Sequence, residues 1–290
     1  MRMYHEVAGD GGSDILGQVG KMMERLAGRL SLIKSVIAVA SPKGGVGKST
    51  VAAHLAASLA RRGARVGALD ADLYGSSLPR LLAPEFIGAN ATRGEEGLFP
   101  IAGVFGVRVM SLDYLTGYGA RASVAWAGAG GSITRGPVEA SALRELLADT
   151  QWGELDYLIV DTPPSVGRLG DLTALVPSLA GVVLVSAPTL LAYQVTLKSI
   201  ERVRALGVPL LGLVENMRGF TCDLCGAANR INVEGEMGET LSIMGVPALG
   251  ALPYDQRLLK PAGEAGPIEA VERIADALLA KIGGHAAARA

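Results

Sequence analysis

The sequence predicts an α/β fold: a doubly wound, mostly parallel sheet flanked by helices. Three observations carry that expectation. Short, continuously apolar runs recur along the chain, as expected of strands buried on both faces. Helical stretches alternate with these runs, which is the pattern of a parallel sheet with crossover helices. The first run leads directly into a glycine-rich, lysine-bearing loop and then a helix, the order that a phosphate-binding crossover requires.

Composition agrees with that class and excludes others. Of 290 residues, 49% are hydrophobic and 19% charged, enough apolar surface to offset the entropy of ordering a large core. Lys and Arg total 27 against 28 Asp and Glu, a net charge of −1, so there is no electrostatic footprint for nucleic acid. Two cysteines cannot staple a disulfide scaffold. No apolar stretch reaches the ~20 residues of a membrane span. Met1–Gly12 carries Glu6 and Asp10 and lacks the apolar core of a signal peptide. The expectation is a cytoplasmic protein with neither a membrane nor a nucleic-acid partner.

Taken in order, residues 1–34 read as an N-terminal helical extension to a main domain over residues 35–290. Ile15, Val19, Met22, Met23, Leu26 and Leu30 recur near the helical period, so one face should pack on that domain. Val36–Ala40 is the first strand. Lys48–Arg61 has helical periodicity and stops before Gly63, a suitable C-terminal cap. Val66–Leu69 is the second buried strand. Further strands are expected at Val107–Leu112, Tyr157–Val160, Val182–Ser186, Leu210–Val214 and Ala248–Leu252, and helices at Ala140–Ala148, Ala192–Ala205, Gly235–Ile243 and Ile268–Lys281. Gly117–Gly136 is rich in Gly, Ala and Ser and reads as a mobile loop. In such sheets ligands bind beyond the C-terminal strand ends.

The loop after the first strand is Ser41-Pro-Lys-Gly-Gly-Val-Gly-Lys-Ser-Thr50. Gly44, Gly45 and Gly47, with Val46 between them, let the backbone curl so that its N–H groups converge on a phosphate. The helix opened by Lys48, Ser49 and Thr50 adds its positive dipole end. Lys48 can reach the β- and γ-phosphates, and the Ser49 hydroxyl can ligate Mg²⁺. Tyr157-Leu-Ile-Val-Asp161 is a buried strand closing on an acid, which suits Asp161 to hold Mg²⁺ through water. The second strand ends in Asp70-Ala-Asp72, with Asp70 expected in the Mg²⁺ shell. Cys222-Asp-Leu-Cys225 sets two thiolates on one side of a tight turn, where they can share a metal. Two thiolates leave a tetrahedral ion or a cluster half-coordinated, and a twofold homodimer would complete a Cys₄ set, suited to [4Fe–4S] or Zn²⁺.

Lys43, five residues before Lys48, resembles the signature lysine of the deviant-Walker ATPases: MinD, ParA, the arsenite-pump ATPase and the nitrogenase iron protein. That resemblance implies a doubly wound P-loop NTPase fold, ATP sandwiched in a homodimer, and a Lys43 that reaches the partner's nucleotide. It implies that Asp72 is the switch aspartate that positions the attacking water. It also implies that Asn216 reads adenine and that Pro253, with Asp255, completes the base pocket.

The run Glu215-Asn-Met217 followed by Cys222-x-x-Cys225-Gly226 is more specific. With Asp70–Pro79, Gly106–Ser111, Arg135-Gly-Pro137 and Gly153–Asp161, it is similar to the Mrp/ApbC-type iron–sulfur carriers, over residues ~35 to ~282. The resemblance implies an ATP-hydrolysing carrier or scaffold. It would hold a [4Fe–4S] cluster on Cys222 and Cys225 across a homodimer and pass it to apo iron–sulfur proteins. Two other readings fit fewer of these residues: a MinD/ParA-like positioning ATPase, and a regulatory ATPase dimer held by zinc.

Overall fold

The computed structural model describes residues 15–72, 75–116, 135–164, 166–221, 224–225, 227–230 and 241–289. Strand β1 (Ile33–Ala40) lies at the centre of an eight-stranded sheet, with five consecutive buried residues at its C-terminal end. The other strands of that sheet are β2 (Val66–Asp70), β3 (Ile101–Ala102), β4 (Arg108–Ser111), β5 (Leu155–Asp161), β6 (Gly181–Ser186), β7 (Leu210–Glu215) and β10 (Ala248–Ala251). Their spatial order is β10-β7-β6-β1-β5-β2-β4-β3. Every pairing is parallel except the edge pair β3–β4. The antiparallel edge was not expected, because a two-residue strand carries no periodicity to read.

Helices cover both faces, and β1 shows why. Ile37 and Val39 point into one core, whereas Val36, Ala38 and Ala40 point into the other, the alternation that a strand imposes. The first core is filled by α2 (Lys48–Arg61), α3 (Leu78–Leu82) and α7 (Glu269–Arg289). The second is filled by α1 (Ile15–Ser31), α4 (Arg135–Asp149), α5 (Leu169–Leu175) and α6 (Leu190–Ala205). Glu272 ties α7 to α2: it accepts from Ser58 Oγ at 2.7 Å and from Arg61 at 2.8 Å.

Several boundaries differ from expectation. Strand β1 begins at Ile33, inside the stretch assigned to the extension, and Ile33 pairs with Leu155 of β5. Leu26 of α1 is buried in the second core, so α1 packs on the sheet domain as its periodicity predicts. Helix α4 starts at Arg135, five residues before the expected Ala140, and so takes in Gly136 and Pro137. Proline is tolerated in a first helical turn because the N–H it lacks has no intrahelical partner there. The rest of the expected loop, residues 117–134, and most of the expected helix Gly235–Ile243 lie outside the described residues. A short hairpin, β8 (Gly219–Thr221) with β9 (Ala228–Arg230), follows β7. No helix among the described residues is long and apolar enough to cross a membrane.

Candidate functional site

The strand order brings three chain-distant segments together at one edge of the sheet. Strand β5 lies between β1 and β2, with Val39 of β1 and Asp70 of β2 both in register with Asp161. The loop leaving β1, the end of β5 and the end of β2 therefore converge at the C-terminal strand edge. Thr162 fastens that edge, with its N–H 3.1 Å from the Val39 carbonyl and its hydroxyl 3.0 Å from it.

The loop after β1 has the form of a phosphate cradle. Gly45 and Gly47 hold φ of +80° and +81°, a left-handed conformation that side chains disfavour. Helix α2 begins after Gly47 with no side chain capping its first turn, so its N-terminal N–H groups are left for an anion. Ser41 Oγ donates to the Lys43 carbonyl at 3.0 Å. Lys43, Gly44 and Gly45 are exposed, Val46 is buried, and Ser49 and Thr50 are half-buried at the helix start.

Lys48 is buried, and its ammonium pairs with Asp161 Oδ1 while lying 3.4 Å from Ser49 Oγ. The other oxygen of that carboxylate, Asp161 Oδ2, is buried without a hydrogen-bond partner. A buried carboxylate oxygen left unpaired is costly, and the loop around its lysine partner offers the Ser49 hydroxyl and the uncapped N–H groups of α2. These donors and acceptors fit a Mg²⁺–polyphosphate. Burial lifts the pKa of Asp161, and Lys48 and Ser49 pull against that rise.

Asp70 is placed differently from expectation. Both of its oxygens are already taken by the loop that follows it. Oδ1 accepts from the Asp72 N–H at 3.0 Å; Oδ2 accepts from Ser76 Oγ at 2.9 Å and from the N–H groups of Ser77 and Leu78 at 3.1 and 3.0 Å. Ser76 Oγ also lies 2.9 Å from Ser111 Oγ at the end of β4. Asp70 thus organises the loop and the start of α3. Burial, then the charge of Asp161, push its pKa up to about 7. Asp72 is half-buried and accepts from the Gly75 N–H at 3.0 Å. Ser76 and Ser111 carried no signal in the sequence beyond their positions after Asp-x-Asp and at a strand end.

Asn216 follows β7 directly and is buried. Its Nδ2 donates to the Val46 carbonyl at 2.9 Å, so the amide is engaged with the cradle itself. Pro253 is half-buried, just after Leu252, whose N–H donates to the Glu215 carbonyl at 2.8 Å. The next residue, Tyr254, donates its N–H to Gly219 at the root of the hairpin. Asp255 is spent on the Arg257 side chain and N–H. Cys225 is exposed in the connection between β8 and β9; Cys222 lies outside the described residues. Leu224 beside it is 98% exposed. Among the described residues no cluster of three or more His, Cys, Asp or Glu could hold a metal.

Comparison with known proteins gives a consistent result. A ParA family model, described as NUBPL iron-transfer P-loop NTPase, matches residues 32–282. The iron–sulfur cluster carrier protein of Methanocaldococcus jannaschii is 38% identical over 228 residues, covering 78% of this chain and 74% of that protein. The protein of the same name from Pseudomonas fragi is 38% identical over 238 residues, covering 82% of this chain and 79% of its own length. Among solved structures, a nucleotide-binding protein from Archaeoglobus fulgidus in complex with ADP superposes with a TM-score of 0.67 at 32% identity, covering 88% of this chain and 93% of that one. The cell division ATPase MinD of Pyrococcus furiosus, with a TM-score of 0.58 at 21% identity over 85% of this chain and 99% of that one, shares the fold.

Proposed function

The chain belongs to the NUBPL iron-transfer P-loop NTPases, and from that premise we propose that it is an ATP-hydrolysing carrier. In this reading it holds a [4Fe–4S] cluster between the two subunits of a homodimer and hands it to apo iron–sulfur proteins in the cytoplasm. The single observation that carries the reading is the juxtaposition at one sheet edge. A phosphate cradle with a buried lysine–aspartate pair is joined through Asn216 to a hairpin whose connection carries Cys225. The names of the relatives support the cargo, and the ADP complex of the Archaeoglobus protein supports the nucleotide.

The roles follow from chemistry. Gly44, Gly45, Val46 and Gly47 supply backbone N–H groups to phosphate oxygens, with Lys48 as the fixed cation and Thr50 in the first turn of the helix. Ser49 and Asp161 would hold Mg²⁺, and the ion would supply charge neutralisation at the transferred phosphoryl group. Asp72 orients the attacking water, and Asp70 holds Asp72 in place. Lys43, exposed on the outer rim, contributes its charge to the partner's nucleotide, where a cation stabilises the transition state. Pro253 lines the base side. Cys222 and Cys225 supply half of a Cys₄ set, and the second subunit supplies the other half. Helix α1 (Ile15–Ser31) is an extension that packs on the ATPase domain.

The reading is tested by loading the protein anaerobically and mixing it with an apo acceptor of the [4Fe–4S] class. Acceptor activity should appear when wild type is used. It should not appear with a Cys222→Ser, Cys225→Ser double variant treated in the same way. Equal transfer from both would overturn the assignment.

A further inference from the structure

Asn216 stands between the two halves of the proposed site. Its side chain belongs to the phosphate cradle: Nδ2 is 2.9 Å from the Val46 carbonyl. A Cβ built on Gly47 would lie 2.1 Å from that same nitrogen, so the amide rests directly against the glycine backbone. Its main chain belongs to the cysteine hairpin. The Asn216 N–H donates to Ser186 at 2.8 Å, which fixes the residue to the end of β6. Met217 then takes a left-handed φ of +63°, and its Cε lies 3.7 Å from the same position over Gly47. The Arg218 N–H donates to Leu252 at 3.0 Å, and β8 begins at Gly219.

Only Met217 and Arg218 separate the amide that touches the cradle from the strand that leads to Cys222. Three residue steps span at most about 11 Å, and both ends are pinned by hydrogen bonds. Such a segment has little slack. Phosphate binding draws on the N–H groups of the peptide units around Val46 and Gly47. Any movement there must be followed by Asn216 or must break a buried hydrogen bond, which is unfavourable. Coupling between sites can be carried by packed, hydrogen-bonded segments, and this one is hydrogen-bonded at both ends.

We propose that Asn216 is a positioning residue that transmits the nucleotide state of the P-loop to the cysteine hairpin. The proposal rests on the reading above, in which the cradle takes ATP and the hairpin takes the cluster. Asn216 acts through Val46 on one side and through the Met217 turn on the other. Its amide is the joint between them.

The test uses the iron-free protein. The alkylation rate of Cys225 by iodoacetamide is read by peptide mass spectrometry, with and without a saturating non-hydrolysable ATP analogue and Mg²⁺. In wild type the analogue should change the rate by about 5-fold or more, the lower end of ordinary coupling between sites. In Asn216→Ala the ratio should fall to about one. In Met217→Gly, which removes the side chain that packs over Gly47 from this turn, the ratio read at saturating analogue should also fall. The proposal is overturned if wild type shows no change, or if saturated Asn216→Ala keeps the wild-type ratio. Should Asn216→Ala fail to bind the analogue, Met217→Gly decides, and a wild-type ratio there overturns the proposal. Failure of the carrier reading would show separately, as wild-type protein that takes up no iron.

Discussion

The ammonium of Lys48 is paired with Oδ1 of Asp161 inside the protein, while Oδ2 of the same carboxylate is sealed without a partner. The pair joins the first turn of α2 to the end of β5, across 113 residues of sequence. Each charge is tolerated in the interior because the other is there.

Removing one member of this pair should therefore cost more than removing both. Lys48→Ala leaves an uncompensated buried carboxylate and should destabilise the nucleotide-free protein by ~3–5 kcal/mol. Lys48→Ala with Asp161→Asn should recover a large part of that loss, although neither variant hydrolyses ATP. Urea denaturation of the two variants against wild type measures the difference. Equal losses would mean that the pair is not coupled.

Asp70 gives the protein a pH dependence with a defined sign. Its folded pKa is raised from 3.8 to about 7 by burial and by Asp161. A carboxyl raised in this way contributes stability that is fully present below its unfolded pKa and is lost as pH rises through the folded value. The stability advantage of wild type over Asp70→Asn should accordingly be largest near pH 4 and shrink as pH rises towards 8. Thermal melts of both nucleotide-free proteins across that range test it. An advantage that grows with pH would contradict the assigned direction.

Lys43 should matter for hydrolysis and hardly at all for folding. It is exposed, and exposed substitutions away from special features usually change stability by less than ~0.5 kcal/mol. Lys43→Ala should melt with wild type yet lose ATPase activity by roughly 10³-fold, the lower end of what a transition-state cation supplied by a partner contributes. If Lys43 acts across the dimer, mixing inactive Lys43→Ala with inactive Lys48→Ala restores activity. Half of the dimers are then mixed with one competent site each, so the ceiling is about a quarter of wild type. No recovery after subunit exchange would place Lys43 in its own site.

Much of the fold was legible because the strands are buried on both faces. Runs such as Val182–Ser186 and Leu210–Val214 sit within a residue of their observed bounds. Strands of two or three residues and the five-residue helix α3 were not legible. The hairpin strands Gly219–Thr221 and Ala228–Arg230 are too short to show a period, and helix α3 is a single turn that starts under Asp70. The start of α4 was hidden by Gly136 and Pro137, which read as breakers and here occupy a first turn.

The phosphate cradle was legible for another reason: its residues are consecutive and each is needed by the chemistry. The same was not true of Asp70 and Asn216. Asp70 looked like a metal ligand because it follows a buried strand, but its donors come from a loop up to eight residues away. Asn216 touches a carbonyl 170 residues distant, and no local pattern reports such a contact. Tertiary geometry gave both residues partners that the linear motifs did not name.

The central claim is that one chain carries half of a metal site and that two chains complete it. The measurement that tests it most directly is anaerobic metal content together with the mass of the oligomer, for wild type and for the variant with both Cys222 and Cys225 changed to Ser. Wild type should be a dimer with about four iron atoms per two chains, as a single Cys₄-ligated [4Fe–4S] cluster requires, and the double variant should hold no iron. Full iron loading in the double variant, or a wild-type dimer that holds zinc and no iron, would contradict it.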